Sequence, residues 1–145
     1  MNRWTCSALL AFGCLGAMPA PAGEAASATA ARNNYMLRCM GCHVADGSGS
    51  AGRVPSVRDS LVPLASSAAG RRYLVQVPGA AQSPLSDLEL AQVLSWMVRN
   101  LGREAAPAGF VDFSAAEVAS YRRTPLLDVR ATRARLLPAA SLVRG

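Results

Sequence analysis

The pattern of apolar and polar positions is clearest late in the chain, where Leu90, Leu94, Met97 and Leu101 recur at helical spacing. Ser86-Asp87-Leu88-Glu89 stands in front of them as a capping box, with Ser86 as N-cap and Glu89 at N3. Gly102 occupies the place where a left-handed residue would end that helix. A helix is also predicted over Ser27–Met40. Ser27 or Thr29 would be its N-cap, an Ala-rich turn follows, and Tyr35 and Cys39 share a face one turn apart. Ser114-Ala115-Ala116-Glu117 opens a further capped helix that runs to about Arg123.

Between these elements the pattern weakens. Asp46-Gly47-Ser48-Gly49 and Gly52 are loop signals, and Arg53 to Val57 reads as extended because the residue before Pro55 avoids the helical region. Ser60 to Tyr73 settles on no single period, although Arg71 to Val75 suits a short helix. Pro78-Gly79 breaks the chain, Ala80 to Pro84 reads as a loop, and Arg103 to Gly109 is an Ala- and Pro-rich linker. Thr124 to Gly145 is apolar in part but interrupted by Pro138; it would wrap the domain or fray. With no repeat and no strand-rich region, the expected class is all-α.

The 145 residues divide into three parts on this pattern. Residues 1–26 read as a secretory signal, with Arg3 in the n-region and an apolar stretch from Leu9 to Met18. Ala20-Pro21-Ala22 and Ala26-Ser27-Ala28 are alternative cleavage sites. The apolar stretch is short of the roughly 20 residues that span a bilayer, so no transmembrane segment is expected after cleavage. Ala11-Phe12-Gly13-Cys14 is a poor lipoprotein box, because Ala11 stands where Leu is expected. Residues 27–102 would form the main domain and residues 103–145 a helical C-terminal extension.

The net charge is +6, and every one of the 15 basic residues is arginine. Arg32, Arg38, Arg53, Arg58, Arg71 and Arg72 are scattered, which suits an acidic protein partner better than nucleic acid.

The chemistry concentrates in Cys39-Met40-Gly41-Cys42-His43, a single C-x-x-C-H that contains the only histidine. This spacing is the attachment signature of a covalent haem c: two thiols add to the vinyl groups and the adjacent imidazole ligates the iron. The competing readings are a thioredoxin-like pair, which expects a βαβ surround, and half a zinc site, which needs more Cys or His. Cys39 and Cys42 are therefore the expected cofactor-binding residues and His43 the metal ligand. Haem attachment of this kind takes place outside the bacterial cytoplasm, so the motif and the signal both point to the periplasm.

From Ala28 to Leu101 the chain resembles the small class I c-type cytochromes. The resemblance rests on Tyr35 one turn before Cys39, the Gly-rich loop with Pro55 after His43, and Leu85-Ser86-Asp87 opening a helix with Trp96 near its middle. It implies a cytochrome c-like helical fold around one haem, crossing first and last helices with Tyr35 and Trp96 in contact, and a Pro55 carbonyl that accepts from the His43 ring. Core packing accounts for Tyr35 and Trp96 without any catalytic role.

The departure is the sixth iron position. The family presents a methionine from the loop before the last helix, but Val77 to Pro84 contains none. No second histidine and no lysine exist. Met36 and Met40 are poorly placed, Met97 lies on an apolar stripe where packing is the default, and Gln82 is a weak oxygen donor. The position is open, held by water, or filled by an unexpected residue, with Gln82, Ser83 and Tyr73 as nearby polar candidates.

The expected function is a periplasmic mono-haem electron carrier, not an enzyme. It would serve a dehydrogenase or oxidase, with Arg38, Arg53 and Arg58 as candidate docking charges. A haem-based ligand-binding or sensor protein with an open sixth position is the alternative. A peroxidase role lacks the distal acid–base histidine.

Overall fold

The computed structural model describes residues 22–137 and, from residue 27, their side chains. Eight helical elements follow in order: α1 (Ala22–Arg38), α2 (Met40–His43), α3 (Leu61–Ala65), α4 (Ala68–Gln76), α5 (Pro78–Ala81), α6 (Asp87–Asn100), α7 (Ala115–Arg122) and α8 (Val129–Leu136). Among the described residues the only β pairing is an isolated bridge between Ser50 and Val54. The all-α expectation holds. No helix among them is long and apolar enough to cross a membrane. The signal assigned to residues 1–26 lies outside the described residues, apart from the first turns of α1.

The helix α6 forms where its sequence dictates. Ser86 Oγ accepts from the Glu89 amide at 3.3 Å, and Glu89 Oε2 accepts from the Ser86 amide at 2.8 Å, so both halves of the capping box are made. Leu90, Ala91, Val93, Leu94, Met97 and Val98 are buried. Each large apolar side chain so buried is worth about 1.5–3 kcal/mol relative to exposure. This helix is the hub: α1, α3 and α7 all pack on it, while α4 carries α3, α5, α7 and α8.

The C-terminal extension belongs to this core. Phe113, Val118 and Leu137 are buried in the same cluster as Tyr35, Leu61, Leu64 and Val98. Buried Ser95 joins the two parts, since its hydroxyl donates to the Ala91 carbonyl at 2.8 Å and accepts from the Phe113 amide at 2.8 Å. Arg71 adds a second tie. Its guanidinium lies 3.9 Å from the Phe113 ring centroid and pairs with Glu117 at 2.6 Å.

Several expectations change. The first helix begins by Ala22, so Ser27 and Thr29 lie inside it and not at its N-cap, and it ends at Arg38 rather than Met40. Residues 60–73 hold α3 and the start of α4, with Ser67 capping the latter through the Gly70 amide at 3.1 Å. The predicted loop 80–84 begins inside a helical turn, because Pro78 at N1 starts one as readily as it breaks one. Gly102 is not left-handed; α6 ends in a right-handed Leu101, and the missing Cβ instead leaves room for Val62. The C-terminal stretch holds α8, capped by Asp128 Oδ1 on the Ala131 amide at 2.8 Å.

Candidate functional site

The C-x-x-C-H segment folds as a single helical turn. Cys39 (φ −122°) ends the run of α1, and the chain restarts as α2 with the His43 amide donating to the Cys39 carbonyl at 3.0 Å. The spacing of three and four residues puts Cys39, Cys42 and His43 on one side of the turn. Both thiols are free, Cys39 half-buried and Cys42 exposed. Burial, reinforced by the Cys42 thiol, pushes Cys39 up to about 11, so its sulfur carries its proton at neutral pH.

His43 is the third member. Burial lowers its pKa, the nearby Pro55 carbonyl opposes that fall, and the Arg133 guanidinium adds to it. The ring is therefore held neutral, the form that ligates a metal. Pro55 stands beside it as the resemblance implies, but short of a made bond: Nδ1 is buried with no hydrogen-bond partner. A buried nitrogen without a partner, beside a carbonyl, is the arrangement a ligating imidazole would use, its other nitrogen on the iron. Two free thiols and a neutral imidazole on one side of the turn fit a covalent haem.

The loop after His43 brings Pro55 back to it. Gly49 has φ 72°, its amide donates to the His43 carbonyl at 3.1 Å, and a Cβ there would lie 2.4 Å from the Val54 carbonyl oxygen. Only glycine fits. The Ser50–Val54 bridge and a Val57 amide to Gly47 carbonyl bond of 2.9 Å close the fold-back. The Ser48 hydroxyl, the Ser48 amide at 3.1 Å and Arg58 at 2.7 Å all bond Asp46 and hold its carboxyl below the usual range.

Val44 is the conformational exception. It is the only non-glycine with positive φ among the described residues (φ 54°, ψ 176°), and a β-branched residue there costs about 1–3 kcal/mol. The Tyr35 hydroxyl donates to the Val44 carbonyl at 2.6 Å. Tyr35 also meets Trp96, as expected, with ring centroids 5.4 Å apart and planes at 40°. Tyr35 thus does more than pack. The hydroxyl itself distinguishes it from phenylalanine in the sequence, but nothing there marks its target.

On the other side of the sequence, the loop expected to carry an axial methionine is gripped by the extension. All five guanidinium N–H groups of Arg122 are engaged: with the carbonyls of Ala81 (2.9 Å), Ser83 (2.6 Å) and Leu85 (2.8 Å), with Ser83 Oγ and with Asp87. Gln82 is exposed, and Ser83 Oγ donates to the Ala80 carbonyl at 2.9 Å. Tyr73 is buried beside Arg133 of α8, which also bonds Ser60 Oγ at 3.3 Å. Met97 lies in the core, Met40 packs partly against it, and Met36 is exposed. Arg133 and Arg122 were both missed by sequence reasoning, because each reaches its partners across more than 30 residues.

Compared with known protein families, curated proteins and solved structures, the chain matches none of them.

Proposed function

We propose that this chain is a periplasmic mono-haem c-type cytochrome that carries single electrons between a dehydrogenase and an acceptor. The observation that carries this is the C-x-x-C-H turn itself: two free thiols and a neutral imidazole at the spacing of one helical turn. Cys39 and Cys42 would tether haem c, and His43 would ligate its iron. When bound, the haem supplies reversible one-electron chemistry. The chain's own residues hold the site still. The α1–α6 contact fixes the turn, burial keeps His43 neutral, and Pro55 faces the ring. Exposed Arg38 and Arg53 offer docking charges to an acidic partner, whereas Arg58 is tied to Asp46.

The test is export of the full chain together with a haem-attachment system, then haem staining after denaturing electrophoresis. Covalent haem in the wild type, lost in Cys39→Ala, is the expected result. A folded wild type without covalent haem would overturn it.

The composition of the loop between α5 and α6 favours a second reading, a haem-based ligand-binding or sensor protein. Residues 77–84 offer no Met, His or Lys, and Met97 is packed in the core. Rapid, complete carbon monoxide binding by the ferrous protein at neutral pH would favour this reading. No binding would favour a firm sixth ligand, and Met97→Leu then asks whether Met97 supplies it.

A further inference from the structure

We propose that Tyr35 is the positioning residue for His43, its hydroxyl pinning the Val44 carbonyl and so holding the backbone turn that aims the imidazole. This role rests on His43 ligating the iron of a tethered haem. Three observations meet at one peptide. Val44 directly follows His43 and sits at φ 54°, a conformation nearly reserved for glycine. Left alone, a valine would relax out of it and swing the preceding residue. Its carbonyl is held by the Tyr35 hydroxyl at 2.6 Å and by the Gly47 amide at 3.3 Å, so both lone pairs have donors.

Tyr35 is itself immovable. Its side chain is 1% exposed and packed at a tilt against Trp96, and α1 packs along α6 beneath it. Burial, with Cys39 and Asp46 nearby, pushes the phenol up to about 12, so the hydroxyl remains a donor at any physiological pH. The rigid helix pair thereby reaches through one hydroxyl to the strained residue next to the ligand. Phenylalanine would preserve the ring packing and lose this reach, which makes the role separable from plain core filling.

The experiment compares the haem-loaded full chain as wild type, Tyr35→Phe, Val44→Gly and the double variant. Two readouts are taken: proton NMR shifts of the haem ring methyls in the ferric state, which follow the orientation of the axial imidazole, and hydrogen exchange at the Gly47 and Gly49 amides. In Tyr35→Phe the methyl shifts move, and the two amides exchange roughly fivefold to tenfold faster, as expected for one lost bond of ordinary strength. Amides in the middle of α6 stay at wild-type rates. Val44→Gly removes the strain, so the double variant returns towards the Val44→Gly single variant in both readouts. Unchanged shifts and exchange in Tyr35→Phe would overturn the proposal. So would equal acceleration in α6, or a double variant as displaced as Tyr35→Phe. A wild type that carries no covalent haem removes the ligand role of His43 itself, a failure seen before either readout is taken.

Discussion

The segment after the C-x-x-C-H turn and the loop between α5 and α6 both hold irregular backbone still, by opposite means. Residues 44–57 do it locally. A left-handed Gly49, a strained Val44 and short main-chain bonds fold the segment back, with the Tyr35 hydroxyl on the Val44 carbonyl and Arg133 on the Ser56 carbonyl at 3.4 Å as outside supports. Residues 81–87 have local bonds at both ends, from the Ser83 amide to the Ala80 carbonyl at 3.2 Å and in the Ser86 capping box, but no left-handed residue folds them back. They are held by Arg122, a side chain more than 30 residues away that engages every donor it has. Local conformational demands keep a segment specific wherever the rest of the chain goes. A distant guanidinium makes the loop depend on the C-terminal extension being in place.

That dependence is most exposed by deleting residues from Phe113 onward. The deletion removes Phe113, Val118 and Leu137 from the core, about 5 kcal/mol or more of burial, together with Arg122. We expect loss of cooperative urea unfolding and of holoprotein; a truncated chain with an intact haem spectrum would instead assign the extension to partner docking. On the other side of the comparison, Gly49→Ala drives a Cβ into the Val54 carbonyl. It should cost about 3 kcal/mol in chemical denaturation, and a loss under 1 kcal/mol would mean the fold-back tolerates rearrangement. Arg122→Lys keeps the charge but loses the fork that reaches three carbonyls at once. About 2 kcal/mol is expected, accompanied by faster hydrogen exchange confined to residues 81–87.

The smallest effect concerns acid. The His43 pKa is lowered in the folded haem-free chain, so the unfolded state binds a proton that the folded state refuses. Stability should therefore fall as pH drops through and below the ordinary histidine range, and His43→Asn should flatten that part of the profile. A wild-type profile that rises on acidification there would contradict the burial assigned to the ring.

What the sequence made legible follows this division between local and distant. The capping boxes of α6 and the Ser114 cap of α7 use residues three apart, and both helices appear within a residue or two of where the pattern puts them. The C-x-x-C-H face and the Tyr35–Trp96 contact were equally legible, the latter through a family resemblance. The α8 helix was not. Its sequence VRATRARL has too few apolar residues to show a stripe, and Leu137 buries just beyond its end. Val44 was illegible for a different reason: β-branched residues avoid positive φ, so no pattern announces the exception. The unpaired His43 Nδ1 and the grip of Arg122 depend on tertiary approach and leave no mark on periodicity.

Ser95 couples the integrity of α6 to the seating of the extension. Its hydroxyl presents a lone pair to the Phe113 amide while its proton is committed to the Ala91 carbonyl, an arrangement that exists only once that turn is helical. The seat for the extension is thus created by the helix it sits on, and unwinding the Ala91–Ser95 turn would release the Phe113 amide with it.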